Sequence, residues 1–271
     1  MPRAKNFPDG VSDFRFLASY RYHVFKKEIK TFNYFTSMKR IYSILLTAVV
    51  IFGLSPLAAF AQEQTSYEVE YQTAPRYKDF RFSVGGGYAF RLGKVEKTGD
   101  TKIDDLNKKL RHGYTLDADA QYFFKESWGL GLNVNFCSSS TSGNNIDFPD
   151  DVYANSYKES QNVLFAGPSF AGRSETDKFL LVSSFAVGPM FYMDRMTIDG
   201  RVLDGKATTV GFNAGVAGEY KLNAKTGVGL KLSYTLGTIN SINLEGQNVE
   251  YKEPASISNL MATVFVSFRS W

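Results

Sequence analysis

Histidine is the side chain best suited to exchanging a proton near neutral pH, and the chain has only His23 and His112. A serine or cysteine hydrolase needs such a base beside its nucleophile. His112 with a serine or aspartate neighbour would supply that pair, but one histidine does not define a catalytic constellation. We therefore interpret His112 as a solvated residue at a loop edge, and we predict no catalytic residues.

Sites for metal ions or phosphate groups are weakly indicated. The acidic segment DFPDDVYANSY, residues 147–157, contains clustered carboxylates. It lacks the regular ligand spacing and the turn glycine of a calcium-binding loop. The glycine-rich segment SVGGGYAF, residues 83–90, lacks the Lys-Ser/Thr pair and the helix start of a phosphate cradle. Cys137 is the only cysteine, which excludes an intrachain disulfide and any Cys-Cys metal spacing. Neither a metal nor a cofactor is predicted.

Charged residues of both signs are the remaining candidates for a functional constellation. They are Arg81, Arg91, Asp117, Asp119, Glu219, Lys231 and Arg269. Each lies in a segment where small or polar residues alternate with apolar ones. What these charges do depends on the elements that carry them.

The chain from Asp79 onward has a period of two. In DFRFSVGGGYAFRL, one face is mostly apolar at every second position from Phe80 to Leu92, and the other is small or polar. The same alternation recurs in further segments, less cleanly in the two near 160–172 and 179–193. The clean segments are residues 114–124, 128–136, 210–220, 228–234 and 260–268. Eight segments of about ten residues or more predict eight strands of membrane-spanning length.

The connections between these strands alternate in length. KES, RSETDK and NAK are short, whereas the other links are long, roughly residues 93–111, 138–158, 194–207 and 237–255. Short turns at one rim and long loops at the other are typical of transmembrane β-barrels.

Two of the long links contain local signals. KIDDLNKKLRHG sets Ile103, Leu106 and Leu110 at helical spacing, which leaves open a short helix or a one-turn cluster. TIDGRV, residues 197–202, resembles a two-residue hairpin turn that extends strands five and six.

The alternative to a membrane barrel is a soluble eight-stranded barrel with its apolar face turned inward. The polar face argues against it, because that face is rich in Gly, Ser and Asn rather than in Lys and Glu. Aromatic residues also collect at both ends of the apolar face, as at the two interfaces of a bilayer. The lower set is Phe80, Tyr122, Phe124, Trp128, Tyr220 and Phe268, and the upper set is Tyr88, Phe90, Tyr114, Phe136 and Tyr234.

The predicted fold class is therefore all-β, an eight-stranded antiparallel up-and-down transmembrane β-barrel with short periplasmic turns and long extracellular loops. An even number of strands places both chain ends on the side of the short turns. No apolar run long enough for a spanning helix follows Gln62.

The segment MKRIYSILLTAVVIFGLSPLAAFAQ, residues 38–62, has the order of a secretory signal peptide. Two basic residues follow the methionine, an apolar stretch comes next, and a proline precedes the small-residue site that contains Ala59 and Ala61. A spanning helix is the alternative, but no charged cluster follows the stretch. We expect cleavage between Ala61 and Gln62.

This leader suggests how the chain is organised. We expect translation to start at Met38, with residues 1–37 as a non-native upstream extension. Residues 62–78 are then a short periplasmic segment, and residues 79–271 are the barrel. Without the leader, 22 Lys and Arg remain against 24 Asp and Glu, so the formal net charge changes from +4 to −2. The basic character therefore belongs to the leader and does not indicate nucleic-acid binding.

The strands FRFSVGGGYAFRL, GYTLDADAQYFFKESWGLGLNVNF and NVLFAGPSFAGR resemble the small outer-membrane β-barrel domain common in Bacteroidota, a porin-like or OmpA/OmpX-like family. The resemblance covers about residues 79–271 and rests on pattern rather than on an invariant motif. It implies an eight-stranded outer-membrane barrel and little about activity. Pro168 and Pro189 depart from the pattern. We expect β-bulges there, because proline has no backbone N–H to donate to the neighbouring strand. Trp271 matches the aromatic chain end of such barrels.

The seven charged residues named above would face the lumen, where charges must pair. The pattern favours an internal salt-bridge network, and a lined conduction path is the alternative. We expect a non-catalytic outer-membrane protein with a structural or surface-interaction role through its outer loops. A small porin is the second candidate, and an outer-membrane hydrolase is a distant third. Expected partners are outer-membrane lipid and an unidentified extracellular ligand or envelope partner, with the barrel itself monomeric.

Overall fold

The computed structural model describes residues 79–93, 100–148 and 152–270. The expected leader and its cleavage residues Ala59, Ala61 and Gln62 lie outside the described residues, as do the segment 62–78 and Trp271.

Ten strands and one helix make up this part of the chain. The strands are β1 Asp79–Arg91, β2 His112–Phe123, β3 Trp128–Phe148, β4 Val152–Glu175, β5 Phe179–Ile198, β6 Arg201–Lys221, β7 Thr226–Leu236, β8 Thr238–Leu244, β9 Gln247–Ser256 and β10 Asn259–Ser270. The helix α1, Thr101–Lys109, lies between β1 and β2. No helix in the described part of the chain is long and apolar enough to cross a membrane.

Eight antiparallel strands close into a ring in the order β1 to β7 and then β10, which pairs back onto β1. The remaining two strands, β8 and β9, form a hairpin that joins β6 at Gly205 and Lys206. The predicted all-β antiparallel ring of eight strands is confirmed. This hairpin forms most of residues 237–255, which the sequence pattern predicted as the last long loop.

The ring is staggered, because strands that close a barrel must tilt. Stepping from partner to partner around the ring leads from Phe90 back to Phe80, a stagger of ten residues along β1. The steps between them are Leu260, Tyr234, Ala214, Phe185, Phe170, Leu130 and Tyr122. Residues at equal depth in the barrel are therefore not direct cross-strand partners.

The two faces of the wall have opposite polarity, as the period of two predicted. Outward residues such as Leu230 and Val264 are 67% and 63% exposed, whereas inward Arg81 and Asp119 are 1% and 2% exposed. A soluble barrel would have the reverse arrangement, with its apolar side chains inside. The arrangement excludes the soluble alternative.

Four strands are much longer than predicted. The strands β3, β4, β5 and β6 have 21, 24, 20 and 21 residues, about twice the length that crosses a bilayer. The expected loops 138–158 and 194–207 are thus mostly paired strand. The hairpin turn in TIDGRV is confirmed at Asp199 and Gly200, whose φ angles of 47° and 84° lie in the left-handed region that such turns require.

The first long connection contains a real helix rather than a one-turn cluster. Asp100 caps α1, because its carboxylate accepts hydrogen bonds from the backbone N–H groups of Lys102 and Ile103 at 2.7 and 3.3 Å. Ile103 and Leu106 pack against Ile146 and other apolar residues of the β3–β4 hairpin. This packing supplies the stability that a nine-residue helix lacks alone.

The prolines do not produce the expected bulges. The β4–β5 ladder skips three pairs between Phe165 and Ser169, and the register is the same on both sides of the gap. Pro168 and Pro189 lie at opposite ends of this gap, so their missing N–H donors fall where no ladder bond is made. The prediction of bulges was wrong, because the two prolines share one interruption of the ladder.

Candidate functional site

The lower part of the lumen, near the short turns, holds buried ion pairs. The Arg81 guanidinium donates to one carboxylate oxygen of Glu219 through Nε and Nη2, at 3.0 and 2.9 Å. Arg269 Nη2 donates to the other oxygen of Glu219 at 2.6 Å. The side chains of all three are at most 2% exposed. Arg81 and Arg269 are direct cross-strand partners on β1 and β10, and the Glu219 carboxylate from β6 bridges the two.

The lower network extends to residues that the sequence did not single out. Arg269 also pairs with Glu175 at 3.0 Å, and Lys221 pairs with Glu175 as well. Arg173 pairs with Asp79. Asp79 lies two residues before Arg81, so its position in the alternation could have identified it as inward-facing. Glu175 is the last residue of β4, where the period gives no such signal.

A second network lies in the middle of the lumen. Lys231 Nζ donates to Asp117 at 2.7 Å and to Asp119 at 2.6 Å. Asn133 donates to Asp119 at 2.8 Å, and Asn135 donates to Asn133 at 3.1 Å. All five side chains are buried. The carboxylates of β2, the lysine of β7 and the amides of β3 therefore form one connected polar layer across the barrel.

The upper part of the lumen is apolar, which the sequence did not predict. The β8–β9 hairpin folds over the ring and buries Ile239 and Ile242 beside Met190. The other buried members of this plug are Ala89, Cys137, Val163, Phe165, Ala186, Tyr192, Ile257 and Met261. Inward apolar residues such as Phe165 and Met190 lie on the two less cleanly patterned strands, and that irregularity was the signal for an apolar layer.

Several inward glycines make room for side chains rather than for water. A Cβ atom at Gly237 would lie 3.0 Å from the Met190 methyl carbon, and one at Gly211 would lie 2.5 Å from Met190 Cγ. At Gly227, a Cβ would lie 2.7 Å from the carboxyl carbon of Glu219. The glycines thus accommodate the plug and the lower ion pairs.

Arg91 does not join the other six charged residues. Its guanidinium lies 5.4 Å above the ring of Tyr192, near the upper mouth. Together with Arg111, Gln161 and Asn259, it lines a small half-open cavity whose enclosed volume is about 10 Å3, room for about one water molecule. Among the described residues, no carboxylate lies within ion-pair distance of Arg91.

His112 has no catalytic surroundings in the described part of the chain. Its Nδ1 atom shares a hydrogen bond with the Tyr88 hydroxyl, and its ring packs edge-on against Phe90 at 5.3 Å between centroids. No group of three or more His, Cys, Asp or Glu side chains among the described residues is arranged to hold a metal ion. Asp150 and Asp151 of the acidic segment lie outside the described residues.

The outer face of the ring carries an apolar belt between two sets of aromatic residues. At the lower end, Phe80 and Phe268 are 42% and 49% exposed, and Phe179 packs edge-on against Tyr220 at 5.5 Å. At the upper end, Tyr114 is 54% exposed and lies 6.4 Å from Phe136 between ring centroids. Such a belt suits a bilayer with two interfaces, and the chain is a barrel of the bacterial outer membrane.

Comparison with known proteins gives structural likeness only. No protein-family model and no curated protein matches the chain. Among solved structures it is similar to a major outer membrane protein from Thermus thermophilus, with 14% identity and a TM-score of 0.48, covering 70% of this chain and 99% of that chain. It is also similar to OprG from Pseudomonas aeruginosa, with 11% identity and a TM-score of 0.42, covering 71% of this chain and 96% of that chain. Ail, the attachment invasion locus protein of Yersinia pestis, is similar with 13% identity and a TM-score of 0.38, covering 71% of this chain and 99% of that chain.

Proposed function

We propose that this protein is a non-conducting outer-membrane barrel that acts as a platform for its outer hairpins, with no catalytic role. The observation that carries the proposal is the closure of the lumen by successive layers. The short turns face the periplasm, and α1 and the long hairpins face outward. The sequence pattern of the strands supports a small OmpA/OmpX-like barrel of the Bacteroidota type.

The lower and middle layers oppose ion passage electrostatically and sterically. The six predicted charges in these layers are each engaged with an opposite charge, and an ion that passes must break pairs that have little contact with water. Breaking a buried pair leaves an uncompensated charge and costs about 3–5 kcal/mol. An eight-stranded ring leaves an interior only about wide enough for side chains.

The upper layer opposes ion passage in a different way. Ile239, Ile242 and Met190 fill the mouth with side chains that offer no ligand to an ion. Because this plug and the ion-pair layers lie in series, removal of one should leave the other closed. Steady conduction should require both to be opened.

Conductance of the refolded chain in planar bilayers tests the proposal. We expect no steady channels from the wild type. Replacing Ile239 and Ile242 by Asp should release the hairpin, and Arg81→Ala with Lys231→Ala should loosen the lower and middle ion-pair layers. Either change alone should give brief openings at most, whereas their combination should give steady current.

A matched control places the same charges on the exposed side of the same hairpin. Thr238→Asp with Asn243→Asp should leave the barrel closed, because both side chains are exposed. Steady ohmic channels in the wild type, unchanged in every variant, would refute the closed barrel and favour a small porin.

A further inference from the structure

The four long strands continue above the apolar belt as a one-sided wall, whose outward face carries a polar and basic surface. We call this surface the wall patch. It consists of Ser140, Ser142, Lys158, Arg195, Asp204 and Lys206. All except Asp204 are exposed, and Asp204 is half-buried. On the inner face of the wall, Ile146 and Tyr157 pack against α1, but nothing yet described occupies the outer face.

The register brings three cations of the wall patch together. Arg195 is the direct partner of Ser160 on β4 and of Asp204 on β6. Lys158 lies two residues from Ser160, and Lys206 lies two residues from Asp204, so both are diagonal neighbours of Arg195. Diagonal neighbours on one face of a sheet are about 7–8 Å apart. Arg195 therefore lies between the two lysines, and the three cations form one diagonal row across β4, β5 and β6.

The wall patch has an excess of positive charge. Arg195 donates to both carboxylate oxygens of Asp204, at 2.7 and 3.1 Å. This hydrogen bonding holds the pKa of the Asp204 carboxyl below its usual range, so the acid is ionised and offsets one cation. The charges of Lys158 and Lys206 are left over. A doubly charged oxyanion would balance them, and lysine and arginine both bind phosphate oxygens well.

The position of the wall patch indicates what lies beside it. On β5, Arg195 lies four residues beyond the exposed Phe191, and on β6, Lys206 lies four residues before the exposed Val210. Four residues of strand span about 13 Å, or about 10 Å of height in a tilted barrel wall. This level is just above the apolar belt, within the headgroup layer of the outer leaflet. In a bacterial outer membrane that layer is built of glycolipid saccharides.

We propose that the wall patch binds the phosphorylated saccharide headgroup of an outer-leaflet glycolipid. The lysines and the arginine contact phosphate oxygens, and the Ser140 and Ser142 hydroxyls hydrogen-bond to sugar hydroxyls. This inference rests on the outward orientation of the long hairpins in the proposed function. It does not depend on whether the lumen conducts, so conductance and lipid retention can fail separately.

Native mass spectrometry of the protein purified from outer membranes tests this proposal, with lipopolysaccharide and its enzymatically dephosphorylated form as probes. The wild type should retain lipopolysaccharide and lose most of it on dephosphorylation. Lys158→Gln, Arg195→Gln and Lys206→Gln together should reduce retention at least tenfold. Because these side chains are exposed, the variant should fold, and heat-modifiable gel mobility verifies this. Asp204→Asn should increase retention, because it removes the opposing charge.

The matched control removes three exposed cations from the opposite rim. Lys125→Gln, Lys178→Gln and Lys225→Gln together change the net charge equally and should leave retention unchanged. Undiminished retention in the wall-patch variant would overturn the proposal. So would equal retention of phosphatidylglycerol, which carries the phosphate without the saccharide, or a dimer of this chain with no bound glycolipid.

Discussion

Glu219 pairs with two buried arginines, so loss of the acid and loss of one arginine should differ in their cost to stability. Glu219→Gln leaves Arg81 without an acid and leaves Arg269 only Glu175. Arg81→Met removes one cation, but Glu219 keeps Arg269. We expect Glu219→Gln to lower the free energy of unfolding by about 3–5 kcal/mol and Arg81→Met by less. Urea unfolding in lipid vesicles measures both, and the reverse order would contradict the bridging role.

The sequence predicts which way a lumen side chain faces but not what it meets. The period of two assigned the inward side to all seven predicted charged residues. It gave no information on depth, because depth depends on the stagger of ten residues that only strand pairing reveals. For this reason Arg91 was grouped with charges that lie much lower in the barrel. Glu175, which pairs with Arg269, was missed for a different reason, because it is the last residue of β4 and the period gives no signal there.

The lipid-facing side can be tested at Leu132, which is 58% exposed on β3. Leu132→Arg should cost roughly 2–4 kcal/mol, as cations do on the lipid face near the midplane. Ser142→Arg lies ten residues further along the same face of the same strand, above the belt, and should stay within about 0.5 kcal/mol. Unfolding in vesicles measures both, and equal losses would refute the position of the belt.

At the scale of the elements, the sequence underestimated the strands β3 to β6 because their upper halves carry no apolar alternation. The segment SSSTSGNN, residues 138–145, is polar on both faces. Above the bilayer neither face needs to be apolar, and the backbone pairing of β3 with β4 continues from Ser138 through Asn144 without an apolar pattern. A rule based on periodicity detects only the part of a strand that borders lipid.

The helix α1 should depend on its cap. Asp100→Ala removes a side chain that accepts two backbone N–H groups, and it should cost about 1 kcal/mol of local stability. Asp104→Ala, in the first turn, keeps the cap and removes an acid whose interaction with the helix dipole is worth about 0.3–1 kcal/mol. Hydrogen exchange of the amides of residues 103–109 compares them. Faster exchange in the Asp104 variant than in the Asp100 variant would contradict the cap.

At the scale of the whole molecule, the barrel is asymmetric along its axis. One rim has three short turns, and the other has α1, two extended hairpins and the β8–β9 plug. Outer-membrane barrels carry short turns on the periplasmic side and longer loops outside. In the proposed orientation, the β8–β9 plug and the wall patch both lie at the exterior rim, so the orientation in the membrane links the two proposals.

Cysteine labelling of intact cells tests this orientation. The only native cysteine, Cys137, is 4% exposed and buried in the plug, so the unmodified chain should react little and serves as the background. Arg201→Cys lies beside the tip of the β5–β6 hairpin, and Lys178→Cys lies in the turn between β4 and β5; both positions are exposed. A membrane-impermeant maleimide should modify the first in intact cells and the second only after the outer membrane is broken. Each change removes one surface cation, so a difference in charge does not explain the contrast. If only Lys178→Cys were labelled in intact cells, the barrel would have the opposite orientation. The wall patch would then face the periplasmic leaflet, where its glycolipid ligand is absent.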